Sequence, residues 1–148
     1  MKKGDEILEK EVKLVVEEFM KKLNEQEVCI ISHFDTDGIT SATIMIQTLR
    51  KLDISFSLKI VKRLEEGMLN TLPKDKIIVF LDLASASLDS ISRAGLKDVF
   101  IIDHHEVFQV IPEEVTMINP QLNGKEEISS SSLTYLFCRK LNEENKEL

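Results

Sequence analysis

Ile77-Ile78-Val79-Phe80-Leu81-Asp82 and Val99-Phe100-Ile101-Ile102-Asp103-His104-His105 are two uninterrupted apolar runs, each closed by an aspartate. Unbroken runs rich in Ile and Val are what strands covered on both faces require. Outward from them, shorter apolar runs recur at residues 28–31, 56–61 and 115–118. Helical patterns fill the intervals, at about residues 39–52, 64–69, 88–94 and 130–142. Ahead of all of them, residues 5–25 place Ile7, Leu8, Val12, Val15, Val16, Phe19 and Leu23 at three- and four-residue steps among Lys and Glu, the pattern of an amphipathic helix. Strands alternating with helices predict an α/β fold: a doubly wound, mostly parallel five-stranded sheet with helices on both faces. The serine run 129–132 reads as the N-cap region of the last helix, its hydroxyls accepting free backbone N–H groups. The polar end, residues 142–148, is expected to fray.

The chain has 148 residues, one domain's worth, and a domain of that size buries roughly two-thirds of its unfolded surface. Lys and Arg number 19 against 26 Asp and Glu, a formal net charge of −7, and 43 % of residues are hydrophobic. This is a globular composition rather than a disordered one. No apolar run approaches the ~20 residues of a membrane span, and no signal-peptide core follows Met1, so no membrane partner is expected. The acidic balance argues against a broad basic face for duplex DNA, while leaving room for a nucleic-acid enzyme with local phosphate contacts. Cys29 and Cys138 form no CxxC pattern and read as small packed hydrophobes, which fits a reducing, cytoplasmic setting.

Chemistry collects where the strands stop. The first run passes into His33-Phe34-Asp35-Thr36-Asp37-Gly38, the third into Asp82, and the fourth into Asp103-His104-His105. In a parallel sheet those carboxyl ends share one edge, where open α/β folds place their ligands. Four of the nine aspartates and all three histidines fall there. Carboxylates gathered in one crevice must take up protons, meet basic side chains or hold cations. No Lys or Arg lies within the three motifs, and mixed carboxylate and imidazole donors suit manganese, iron or zinc better than calcium. Two ions bridged by a shared carboxylate would stabilise both the attacking and the leaving oxygen of a phosphoester displacement. Each motif has a plainer alternative: Asp35 to Gly38 as a turn and helix cap, Asp82 as a cap of the following turn. The Asp-His-His tripeptide is harder to read as filler in a chain with one other histidine. Thr40 and Ser41 read as opening a helix whose N–H groups either receive a phosphate or are simply capped. Lys59, Lys62 and Arg63 form a basic cluster that either guides a nucleic-acid backbone or is a solvated surface.

Together these residues resemble the DHH phosphoesterase family, and within it the RecJ-like nuclease branch. His33-Phe34-Asp35-Thr36-Asp37-Gly38-Ile39-Thr40-Ser41-Ala42 is similar to the family's first motif, and Asp82 in Phe80-Leu81-Asp82-Leu83-Ala84 to its second. Asp103-His104-His105 is the tripeptide that names it, and Ile118-Asn119-Pro120 with the serine-rich helix start is similar to the family's sequence beyond that tripeptide. The resemblance covers about residues 28–135. It implies His33, Asp35, Asp37, Asp82 and His104 as metal ligands, with Asp82 as bridge, and His105 at the scissile phosphate. Asp103 would orient the histidines. Two Mn2+ ions are the implied cofactor, with Mg2+ or another divalent ion as substitute. The implied reaction is exonucleolytic hydrolysis of single-stranded nucleic acid or a short oligonucleotide to nucleoside monophosphates. The Gly-Ile-Thr-Ser-Ala continuation looks more like the nuclease branch than the pyrophosphatase branch.

One departure matters. Family members carry a further aspartate ligand and then a second, substrate-gripping domain, for which residues 1–148 offer no equivalent. The expectation is therefore a single DHH-type catalytic domain whose site is completed by a C-terminal half or a second polypeptide, with weak or absent activity alone. Two other readings compete. Phe34-Asp35-Thr36-Asp37-Gly38 resembles the opening of haloacid-dehalogenase-type phosphatases, but the Ser or Thr, Lys and acidic pair of that family are replaced here by Asp-His-His. A phospho-acceptor receiver domain lacks its fifth-strand lysine. A non-catalytic RecJ-like scaffold subunit of a replication or repair complex is the third reading.

Overall fold

The computed structural model describes residues 3–24, 26–124 and 127–146. Its elements run α1 (Lys3–Lys22), β1 (Val28–His33), α2 (Thr36–Lys51), β2 (Phe56–Val61), α3 (Glu66–Thr71), β3 (Ile77–Leu81), α4 (Leu88–Arg93), β4 (Asp98–Ile102), β5 (Val115–Ile118), a 3-10 turn (Pro120–Leu122) and α5 (Ser130–Lys146). The five strands form one sheet in the order β2-β1-β3-β4-β5, every pairing parallel. Chain order reverses between β1 and β3, which puts the topological switch point at the ends of those two strands.

Strand periodicity sorts the core into two layers. Val28, Ile30, Ile77, Val79, Leu81, Phe100, Ile102 and Ile118 pack under α1, α2 and α5. The alternate residues Cys29, Ile31, Ile78, Phe80, Val99, Ile101 and Met117 pack under α3 and α4. This is the predicted doubly wound architecture, and β3, buried along its whole length, is the strand its unbroken sequence announced. By contrast β2 lies at the sheet edge and is largely exposed. Both cysteines are free and buried. Among the described residues no helix is long and apolar enough to cross a membrane.

Helix boundaries shift by two or three residues in α1, Lys3–Lys22 against 5–25, and in α3, Glu66–Thr71 against 64–69, and differ more tellingly in α2 and α5. α2 begins at Thr36 rather than 39, because Asp35 caps it: Gly38 N–H donates to Asp35 Oδ1 at 2.8 Å. Thr40 and Ser41 therefore lie one turn inside the helix, and their hydroxyls donate to the carbonyls of Thr36 and Asp37. At the other end α5 continues past 142 to Lys146, and Lys140 pairs with Glu143 and Glu144. Residues 147 and 148 lie outside the described part.

Candidate metal centre

The first motif is positioned by a close approach that only glycine permits. A Cβ on Gly38 would stand 2.0 Å from the His33 carbonyl oxygen, so α2 can fold back on the end of β1 only with hydrogen at that position. Inside the fold, Ser32 Oγ donates to the Gly38 carbonyl at 2.7 Å and locks the corner. The turn leaves His33 Nδ1 3.1 Å from Asp35 Oδ2 and 3.5 Å from Asp82 Oδ2. Asp82 ends β3 in a left-handed conformation, φ 61°, which aspartate tolerates better than most residues.

Asp82 is the centre of the arrangement. It is 1 % exposed; Oδ1 accepts from Ser130 Oγ at 2.9 Å, while Oδ2 has no hydrogen-bond partner. The capping role left open for Asp82 is not what its carboxylate does among the described residues. His33 Nδ1, close by but misdirected, is likewise buried and unpaired. Orphaned buried polar atoms are rare in folded proteins, and two lying 3.5 Å apart ask for a bound group. Burial, with the Asp35 and Asp37 carboxylates alongside, pushes the Asp82 carboxyl up to about 7, against the pull of Ser130. Asp35 goes the other way: burial opposes it, but the Gly38 N–H, Asp82 and His33 hold it below the ordinary carboxylate range.

Asp37 is held by the last helix. Ser130 N–H donates to its Oδ2 at 2.9 Å and Ser131 N–H to its Oδ1 at 2.8 Å, so the carboxylate sits on the N-terminus of α5. Those bonds and His104 lower Asp37 against the effect of burial. Within the serine run itself, Ser129 Oγ accepts from Ser132 N–H as the expected cap. The N–H groups of Ser130 and Ser131 go to the site instead. His104 Nε2 lies 3.3 Å from Asp82 Oδ1 and 3.5 Å from Asp37 Oδ2.

Asp103, fully buried, holds the other histidine. Its Oδ1 accepts from His104 N–H at 2.8 Å and meets His105 Nδ1 at 2.6 Å, and its Oδ2 accepts from Ser85 N–H. Burial works against a charged His105, but the Asp103 carboxylate wins and raises it, helped by Asp82 and Asp35. Candidate ligand atoms thus fall into two groups, His33, Asp35 and Asp82 in one, and Asp82, Asp103, His104 and His105 in the other, each within 4.8 Å. Asp82 belongs to both. Asp37 stands in neither and joins through His104. A cavity of about 240 Å³ opens on His33, Asp82, Asp103 and His105, with Lys62 and Arg63 on its wall. Lys59, exposed on β2, does not line it.

The residues fit divalent cations. Carboxylate and imidazole atoms converge on two neighbouring positions, a buried carboxylate oxygen lacks a partner, and no lysine or arginine is paired with any of the four aspartates among the described residues. Sequence reasoning did not find Ser85, Ser130 or Glu11. Ser130 had a signal in the serine run, but nothing local pointed it across the fold to Asp82.

Comparison with known proteins gives a consistent picture. Residues 27–148 match the family model of the DHH family, N-terminal domain. The single-stranded-DNA-specific exonuclease RecJ of Bacillus subtilis is 28 % identical over 130 residues, covering 78 % of this chain and 16 % of its own. The crystal structure of exonuclease RecJ bound to manganese superposes with a TM-score of 0.74 at 17 % identity, over 93 % of this chain and 38 % of that one. CDC45 from Entamoeba histolytica shares the fold with a TM-score of 0.69 at 17 % identity, over 88 % of this chain and 30 % of its own. The chain spans between 16 % and 28 % of the length of the curated relatives it matches.

Proposed function

This chain belongs to the DHH family, and on that premise we propose that it carries the catalytic half of a divalent-metal-dependent phosphodiesterase acting on single-stranded nucleic acid or short oligonucleotides. The observation that carries the reading is Asp82: buried, one oxygen unpartnered, and common to both groups of ligand atoms. Membership of this family displaces the haloacid-dehalogenase reading, and Asp35, which caps α2, is here a cap and a ligand candidate at once.

In this proposal His33, Asp35, Asp37, Asp82 and His104 would hold two divalent ions, Mn2+ first among them. Such ions supply Lewis-acid stabilisation of charge on the phosphate and offset the repulsion among the carboxylates. Asp37 can serve although both its oxygens accept N–H bonds, because each keeps a second lone pair. The chain's own residues do the rest. Asp103 fixes the His105 ring through Nδ1 and raises its affinity for a proton, so that Nε2–H donates to a phosphate oxygen in the cavity. Lys62 and Arg63 bind backbone phosphate across the same cavity. The length of the relatives supports a further segment or second polypeptide that completes the site and grips the strand. Two free buried cysteines are in keeping with a cytoplasmic setting.

The test is Mn2+-dependent release of mononucleotides from an end-labelled single strand, with and without the candidate completing segment. Hydrolysis that needs the ion and is lost in Asp82→Ala supports the reading. Hydrolysis indifferent to chelation, or to that substitution, overturns it. The scaffold reading, to which the shared fold of CDC45 is the nearest support, predicts an assembly whose function ignores Asp82→Ala.

A further inference from the structure

We propose that Glu11 and Asn119 are positioning residues that hold the Asp103–His105 pair, making helix α1 a working part of the site although it precedes the segment matched by the family at residue 27. The role given to His105 rests on the proposed phosphodiesterase; the bonds that position it do not.

Asn119 is fully buried at the end of β5, and each of its polar groups has a partner. Its side-chain oxygen accepts from Gln121 N–H at 2.9 Å, which caps the turn Pro120–Leu122. A cap needs nothing more. The amide nitrogen, however, donates twice in the other direction, to the His105 carbonyl at 2.8 Å and to Ser85 Oγ at 3.1 Å. Ser85 N–H in turn holds Asp103 Oδ2, whose other oxygen holds the His105 ring. One side chain therefore braces both members of the pair: His105 through its carbonyl, Asp103 through Ser85.

Glu11 braces Asn119. Its Oε1 accepts from Asn119 N–H at 3.2 Å and its Oε2 from Asn123 Nδ2 at 3.2 Å, joining residues 108 positions apart in sequence. The carboxylate is half-buried on α1, whose neighbouring Val12, Val15, Val16 and Phe19 are sunk in the first core layer. Burial raises Glu11, and the two donors offset part of that cost. Such a carboxylate is worth burying where its acceptors are used.

The experiment reads the neutral His105 ring in the metal-free chain, at a pH high enough to deprotonate the imidazolium, by long-range 1H–15N correlation, which reports which nitrogen carries the proton. Wild type is expected to show Nδ1–H, as the Asp103 contact requires. Asn119→Asp keeps the oxygen that caps Gln121 but loses both donors. His105 is then expected to average between tautomers, with His33 and His104 unchanged. Glu11→Ala should move His105 in the same direction by less, and Glu11→Gln, which keeps an acceptor, should restore it. An unchanged His105 in folded Asn119→Asp or in Glu11→Ala overturns the proposal. If Asn119→Asp does not fold, the Glu11 pair decides alone. On a single-stranded oligonucleotide with Mn2+, Asn119→Asp should lower kcat about 10- to 100-fold with KM within about twofold; a change confined to KM counts against positioning. A wild type that hydrolyses nothing even with the completing segment defeats the nuclease reading, and the ring spectra still decide this one.

Discussion

At the scale of single residues, the site is a problem in charge that Asp82 makes acute. A carboxyl buried beside Asp35 and Asp37 and raised to about 7 is only about half ionised at neutral pH unless a cation replaces the proton. A folded-state value above the unfolded one stabilises the chain below about pH 4 and loses that contribution as pH rises through about 7. The metal-free melting temperature is therefore expected to fall between pH 4 and 7, and Asp82→Asn should flatten that slope in melts taken across the range. His105, also raised, gives up its share only above its ordinary 6.5, while Asp35 and Asp37, both lowered, lose theirs on acidification below 3.8. Neither effect accounts for a slope from pH 4 to 6. Glu11, also raised by burial, adds a fall of the same sign above 4.5, so the difference between wild type and Asp82→Asn isolates the share of Asp82. Mn2+ should reverse the trend, since it binds the deprotonated carboxylate. At a hundred times its dissociation constant it should contribute about 2.7 kcal/mol, a rise of roughly 5–10 °C in a domain of this size, larger at pH 8 than at pH 5. A pH-independent Mn2+ shift would contradict the assignment.

At the scale of elements, strand ends were legible and helix ends were not. The apolar runs of β3 and β4 stop at Asp82 and Asp103, and that of β1 stops at the buried Ser32 one residue before His33, because a strand buried on both faces admits few polar residues until it nears the edge. The start of α2 was misplaced because its first turn is polar: Thr36 and Asp37 carry no apolar periodicity, and the signal lay in the Asp35 cap three residues before Gly38. The service α5 renders to the site was invisible for another reason. Ser130 and Ser131 sit 93 or more residues from Asp37, and no local pattern records which carboxylate a helix N-terminus will meet. Two substitutions probe these joints. Gly38→Ala forces a methyl into the His33 carbonyl and is expected to cost about 3 kcal/mol or more in denaturant unfolding. Ser130→Ala removes the donor to Asp82 Oδ1 and should weaken Mn2+ binding about 10-fold by titration calorimetry, while the helix, still capped by Ser129, keeps its far-ultraviolet signal. Unaltered Mn2+ affinity would mean that Ser130 packs there without orienting the carboxylate.

At the scale of the molecule, the question is whether α1 is an appendage or part of the cooperative unit, since the family match begins after it. The packing favours the unit. Phe19 is fully buried and meets Phe100 of β4 and Phe137 of α5 edge-on, with ring centroids 5.3 and 5.4 Å away. It thus ties the N-terminal helix both to the sheet and to the helix whose N-terminus holds Asp37. Val12, Val15 and Val16 extend the same layer. Removing the Phe19 ring should cost about 3–5 kcal/mol. In Phe19→Ala, amide exchange in α1 and in β3 should still report one common opening free energy, lowered equally in both, because β3 packs into both layers and the sheet does not survive on one face once the other has opened. If α1 instead exchanged at low free energy while β3 kept its protection, the helix would be a separable attachment. Glu11 could not then hold Asn119 for longer than α1 stays docked, and the bracing of His105 would be intermittent in the native state.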